Sequence, residues 1–353
     1  MHVLEAGSQG VGRPCVVLLH GFPELAYSWR KIMLPLAAAG YHVLAPDQRG
    51  YGRTTGWDDR YDGDLETFSM PNLARDVFGL VSAFGYRSVG AVVGHDFGAA
   101  VAAYCALLRP DVFASLVLMS APFPGPPPIG FATIGDGVRA SAEPSLFDQL
   151  AGLDPPRKHY TAYYSTRGAN ENMWNCKQGV HAFLRAYFHM KSADWNGNEP
   201  FELRGASAAE FAKMPRYYVM DFDKGMAETV AAEMLSAQEI AACRWLPEVE
   251  LAVYAREFER TGFQGALQWY RCRTSPKYTS ELALFSGLQI RVPAMFVGGE
   301  KDWGVFQTPG ALTAMRTTAC AELQAVHLVP GAGHWVQQEQ SEIVNDLLTA
   351  FLR

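Results

Sequence analysis

Four short apolar runs, at residues 15–19, 41–45, 89–93 and 113–119, constrain this chain more than any other feature. Each is rich in Val and Leu and is bounded by Gly, Pro, Asp or His. Runs of this length without polar alternation are strands buried on both faces of a sheet. Amphipathic stretches over 27–38, 72–84 and 97–108 separate them. Strand–helix–strand repetition predicts an α/β core: a mostly parallel sheet, right-handed crossovers and helices on both faces.

The repetition stops at PFPGPPPIG, residues 122–130, where proline can continue neither strand nor helix. Beyond it, segments such as 207–213, 226–237 and 247–261 read as helical, and no buried parallel-strand run occurs. Strand texture returns at 292–297 and 324–329, and a last amphipathic helix is expected over 336–352. The intervening stretch of about 160 residues is too long for a loop. The expected organisation is a core of residues 1–122 and 284–353, interrupted once by a helical lid over 123–283.

Composition removes several function classes. Hydrophobic residues make up 49% and charged residues 19% of the 353, an ordinary globular balance, and the net charge of −6 comes without a basic cluster. Nucleic acid and anionic membranes are therefore not expected partners. The six cysteines (Cys15, Cys105, Cys176, Cys243, Cys272, Cys320) are scattered, which predicts reduced thiols rather than a disulfide framework or zinc site. No histidine pattern has metal spacing, no apolar run approaches the ~20 residues of a membrane span, and MHVLEAGSQG lacks the features of a signal peptide. A cytoplasmic protein is the expectation.

Four motifs carry the chemistry. In VVGHDFGAA, residues 92–100, a strand runs into a small-x-nucleophile-x-small turn and then a helix of small residues. This is the pattern of a nucleophile elbow, with Asp96 where many hydrolases place Ser. At a helix N-terminus Asp96 is favoured as the carboxylate; its bland alternative is a helix cap. In LLHGFPELAYSW, residues 18–29, the backbone N–H of Phe22 is expected to face the site and, with that of Phe97, to form an oxyanion hole. The Phe22–Pro23 bond is a candidate cis peptide. In FVGGEKDWGVF, residues 296–306, acids follow a strand at the ligand-binding edge of an open sheet; Asp302 is taken as the charge-relay acid, with Glu300 as competitor. In VPGAGHWVQQE, residues 329–339, His334 follows a strand and a glycine turn. The order Asp96, Asp302, His334 is the nucleophile–acid–histidine order of α/β-hydrolases. His95, Trp303 and Trp335, beside these three, are expected to line the substrate pocket.

Over nearly its full length the chain resembles the epoxide hydrolases of the α/β-hydrolase fold. The matching pieces are HGFPE at 20–24, DQRGYGRT at 47–54, GHDFGA at 94–99, GEKD at 299–302 and GHW at 333–335. Those pieces also fit haloalkane dehalogenases. The separating piece lies in the lid, where TGFQGALQWYR, residues 261–271, resembles the segment ending in the second epoxide-binding tyrosine, here Tyr270. The first lid tyrosine falls in HYTAYY, residues 159–164; the best register selects Tyr160, with Tyr163, Tyr164 and the pair Tyr217 and Tyr218 as competitors. The resemblance implies a small apolar epoxide and water as substrates, a vicinal diol as product, and no cofactor or metal. A homodimer is compatible with it. Phe97 departs from the Trp that many relatives carry after the nucleophile, which changes the pocket wall but not the backbone N–H. The same departure speaks against a dehalogenase, whose usual halide donor is that Trp. A ligand receptor of this fold is the third reading, weakened by the intact catalytic set. The resemblance also implies a further antiparallel strand before HVLEAG, so that either the sheet is one strand short or the chain is trimmed at its start.

Overall fold

The computed structural model describes residues 1–7, 13–129 and 144–353. Residues 8–10 of the N-terminal stretch and Gly130, the end of the proline-rich run, lie outside the described residues. Seven strands form the main sheet: β1 (Val3–Ala6), β2 (Cys15–Leu19), β3 (His42–Pro46), β4 (Ala91–His95), β5 (Leu116–Met119), then β8 (Ala294–Gly299) and β9 (Leu323–Val329). Their spatial order is β1-β3-β2-β4-β5-β8-β9. All pairings are parallel except β1 with β3, where Val3 opposes Pro46 and Ala6 opposes Val43.

HVLEAG, expected to follow a further antiparallel strand, is itself antiparallel to its neighbour β3 and ends the sheet among the described residues. Its burial fits an edge position, since only Ala6 is buried and the run lacks the apolar continuity of a central strand.

Alternation along the central strands splits the core in two. Cys15, Val17 and Leu19 of β2 and Val92 of β4 face one cluster, while Val16, Leu18, Ala91 and Val93 face the other. Helix α1 (Arg30–Ala38) covers the second face through Ile32, Met33 and Leu36, packed on the C-terminal helix α9 (Ser341–Phe351) through Val344 and Leu348. Helices α2 (Met70–Ala83) and α3 (Phe97–Leu108) cover the first face. Helix α3 is buried along almost every residue, as its Ala-rich sequence requires. The expected single helix over 336–352 is two, because Gln340, with non-helical φ −128° and ψ 51°, separates α8 (Val336–Glu339) from α9.

Between β5 and β8 the described residues are mainly helical, including α4 (Tyr160–Tyr164), α5 (Gly179–Lys191), α6 (Glu248–Thr261) and α7 (Gln264–Thr274). A two-stranded antiparallel ribbon, β6 (Arg157–His159) with β7 (Val219–Asp221), was not foreseen. Three-residue strands are too short to show a period. Helix α7 docks on the core through backbone contact: a Cβ on Gly265 would collide with Gly50, and one on Gly50 with Gly265. The Trp269 indole N–H donates to the Arg49 carbonyl at 2.8 Å beside this contact. DQRGYGRT, residues 47–54, is thus the seat for the helix that carries Tyr270. Among the described residues no helix is long and apolar enough to cross a membrane, and the six cysteines are free thiols.

Candidate active site

The parallel strands β2, β4, β5, β8 and β9 end on one edge of the sheet, and the expected chemistry gathers there. Asp96 joins β4 to α3 with φ 53° and ψ −121°, a conformation that a side chain rarely adopts. The turn closes because a Cβ on Gly94 would meet the Gly98 carbonyl, and one on Gly98 would meet the carbonyls of Leu19 and His20. The Phe22 N–H donates to Asp96 Oδ1 at 3.0 Å, and the Phe22–Pro23 bond is cis. Phe97 opens α3, and its ring lies on the cavity wall.

His334 Nε2 is 3.3 Å from Asp96 Oδ2, and its Nδ1 is 3.0 Å from Asp302 Oδ1. Asp302 and His334 are each 1% exposed. The Gly304 N–H holds the same Asp302 oxygen at 2.6 Å. Glu300, the competing acid, points to solvent. Burial alone would push the Asp96 carboxyl up. The hydrogen bond and charge of His334, with Lys191 and His95 behind it, outweigh burial and hold it well below the usual carboxylate range. Asp302 follows the same balance, with burial opposed by His334 and the Gly304 N–H, and it too ends below that range. Asp96 is therefore an anion across the neutral range, which a carboxylate nucleophile requires.

Two tyrosines of the helical region face Asp96 across a cavity. Tyr160 and Tyr270 both line it, with ring centroids 5.9 Å apart. The β6–β7 ribbon places Tyr160: its N–H donates to the Tyr218 carbonyl at 2.8 Å as the chain turns into α4. Its hydroxyl donates to Gln307 Oε1 at 3.0 Å. The Tyr270 hydroxyl has no hydrogen-bond partner among the described residues. Burial drives both hydroxyls above the usual range, reinforced at Tyr270 by the Asp96 charge and opposed at Tyr160 by Arg273. Both remain proton donors. Of the competing residues, Tyr163 donates to Asn172, Tyr164 to the Tyr187 hydroxyl at 3.1 Å, and Tyr217 to Asn198; none of these, nor Tyr218, lines the cavity.

A family described as the alpha/beta hydrolase fold matches residues 14–196. Epoxide hydrolase B of Mycobacterium tuberculosis is 32% identical over 355 aligned residues, which cover 96% of this chain and 91% of that protein. The solved structure of an epoxide hydrolase from an endophytic Streptomyces superposes with a TM-score of 0.76 at 32% identity, over 99% of this chain and 91% of the other. Potato (Solanum tuberosum) epoxide hydrolase I superposes with a TM-score of 0.74 at 29% identity, over 99% and 95%. The chain belongs to the epoxide hydrolases of the α/β-hydrolase fold.

Within this epoxide-hydrolase frame, three expected wall residues are placed elsewhere. His95, Trp303 and Trp335 do not line the cavity. His95 lies beneath it, with Nδ1 2.6 Å from Glu24 Oε2 and Nε2 2.7 Å from the His334 carbonyl. Both neighbours are acceptors, so both ring nitrogens carry protons and His95 is a cation paired with the Glu24 carboxylate. Burial opposes this charge, and the Glu24 carboxylate overcomes it, raising His95. Trp335 donates to the Phe188 carbonyl at 2.7 Å, and Trp303 packs edge-on against Phe201. All three follow or precede a catalytic candidate in sequence, but neighbouring side chains on a turn point in different directions.

The Glu24–His95 pair is a feature the sequence reading missed. Glu24 also accepts from the Gly21 N–H at 2.9 Å and from the Gln337 amide at 2.9 Å. One buried ion pair thus ties the loop carrying Phe22, the residue before Asp96 and the loop carrying His334. The Glu of HGFPE and the His before the nucleophile were its only signals. Glu339 performs a similar service. It accepts from the N–H groups of Gly333, Trp335 and Ala193 at 3.0, 2.9 and 2.8 Å, clamping both neighbours of His334. Glu339→Ala strips three N–H groups of their acceptor, at about 1–3 kcal/mol for each that stays buried. The denaturant midpoint should fall accordingly and partly recover in Glu339→Gln; an unchanged midpoint in Glu339→Ala contradicts the clamp.

Proposed function

We propose that this protein hydrolyses epoxides to vicinal diols through an ester formed on Asp96. The observation that carries the reading is the pair Tyr160 and Tyr270 facing Asp96 on one cavity wall. An epoxide oxygen leaves poorly unless its developing charge is met. Two buried tyrosine hydroxyls can donate to it, and one can yield its proton. Asp96 attacks a ring carbon from the opposite side; its C–O bond forms as the ring C–O bond breaks, and the ring oxygen becomes a hydroxyl. His334, oriented by Asp302, then takes a proton from water. The hydroxide adds to the Asp96 carboxyl carbon, and the oxyanion so formed is stabilised by the N–H groups of Phe22 and Phe97. Collapse releases the diol, which takes its proton from His334, and the proton left on the Asp96 carboxyl returns through water to the tyrosinate.

The apolar part of the cavity wall, with Phe68, Leu73, Phe97 and Trp269, favours an epoxide with an apolar substituent. Among the described residues, nothing on that wall favours the dehalogenase reading. The Trp269 N–H is committed to the Arg49 carbonyl, and Phe97 has no side-chain N–H to offer a halide. Incubation with styrene oxide and aliphatic terminal epoxides should give diols. Halide release from chloroalkanes without diol formation would replace this reading with the dehalogenase one, and tight binding without turnover would replace it with the receptor one.

A further inference from the structure

We infer that the preferred substrate is an epoxide carrying a carboxylate close to the ring, held by the Arg273 guanidinium on the cavity wall. The inference rests on the epoxide-opening role of the site. Among the described residues, Asp96 and Arg273 are the only charged side chains lining the cavity. Asp96 has its partner in His334. Arg273 has none: among the described residues no carboxylate pairs with it and no acceptor takes its N–H groups. Arg271, two residues earlier, shows the contrast. It donates to the Tyr61 carbonyl and to Gln268 and stacks on the Tyr61 ring at 3.7 Å, and it lies off the cavity wall.

The position of Arg273 sets where its ligand lies. It follows Tyr270 by three residues on α7, so the two share a face about one turn apart, ~4.5 Å along the axis. Its guanidinium carbon is 5.9 Å from the ring centroid of Phe97, the residue after the nucleophile. Its charge also reaches the Tyr160 hydroxyl, opposing the upward push of burial there. The cation therefore flanks the place where the oxirane must sit, between Asp96 and the two hydroxyls. The Phe97 ring that it flanks lies 5.3 Å from the Tyr270 ring, so an anion on Arg273 is held on the same stretch of wall as the ring-opening hydroxyl. This describes an epoxy acid whose carboxylate lies on the oxirane's side of the cavity.

The chemistry favours a carboxylate. A guanidinium stays charged at any working pH and offers a planar fork of donors that matches two carboxylate oxygens. Arg273 is exposed, so its donors are met by water, and a wholly apolar substrate gains nothing from them. A carboxylate replaces that water with two charge-assisted hydrogen bonds.

The test compares 3-phenylglycidate with its primary amide, which is similar in shape and neutral, and includes styrene oxide as a third substrate. For the wild-type protein kcat/KM should favour the acid over the amide by about 10–100-fold, the range of charge-assisted hydrogen bonds, with the difference mainly in KM. In Arg273→Gln the acid-to-amide ratio should fall to near one, and Arg273→Lys, which keeps the charge but loses the fork, should fall between. The ratio within each variant cancels any general loss of activity. A wild-type ratio near or below one, with the amide or styrene oxide still converted, overturns the inference and leaves the epoxide reading standing. An equal loss on both substrates in Arg273→Gln also overturns it, by assigning Arg273 to the tyrosines. Failure to convert any of the three removes the epoxide reading and this inference with it.

Discussion

Replacing His334 with Gln should stop the reaction halfway. Attack by Asp96 on carbon needs an ionised carboxylate and a proton donor for the ring oxygen, and neither is His334. Ester hydrolysis needs a base beside the carboxyl group, and His334 Nε2 is the nitrogen 3.3 Å from Asp96 Oδ2. Removing that base should slow turnover by about 10²–10⁴-fold while the ester accumulates. Intact-protein mass should rise by the mass of one epoxide, and the peptide containing Asp96 should carry the addition. Asp96→Ala should show no addition. Steady turnover at the wild-type rate in His334→Gln, with no adduct, would remove His334 from the mechanism.

The second large effect belongs to the tyrosines. Tyr270→Phe keeps the ring, which packs edge-on against Phe22 and Phe97 at 5.6 and 5.3 Å, and deletes only the hydroxyl. Epoxide opening should slow by about 10²–10⁴-fold, the range for loss of a general acid. Ester hydrolysis, measured separately in single turnover, should change little. Tyr160→Phe should act in the same step, and it also leaves the Gln307 carbonyl oxygen without its donor. Full activity in Tyr160→Phe together with loss in a Tyr163 or Tyr218 variant would assign the second hydroxyl to another residue.

How much of this was legible in sequence depends on what each signal encodes. The central strands were readable because burial on both faces leaves an unbroken apolar run, and the observed β2 coincides with the expected one. The elbow was readable because backbone crowding at Gly94 and Gly98 admits no side chain. The β6–β7 ribbon was not, since three-residue strands carry no period. The register of HYTAYY was ambiguous for a geometric reason. Tyr160, Tyr163 and Tyr164 lie within one short helix, and only the incoming ribbon decides which of them meets the cavity. The assignment of His95, Trp303 and Trp335 to the wall failed because adjacency in sequence does not give direction in space. Asp96 and Gly304 line the cavity, while His95, Trp303 and Trp335 turn into the core. Arg273 was passed over beside Arg271 for the same reason, because what separates them is which of the two reaches the cavity.

The carboxylate of Asp96 as nucleophile is the central claim, and oxygen-isotope labelling in a single turnover tests it most directly. With enzyme in excess over epoxide in ¹⁸O-water, one diol oxygen comes from the epoxide and the other from Asp96. The diol from that first turnover should be unlabelled, and the Asp96 peptide should gain ¹⁸O. Under repeated turnover the label should pass from Asp96 into product. If the first-turnover diol carries solvent oxygen and Asp96 stays unlabelled, water attacks the epoxide directly and Asp96 is not the nucleophile.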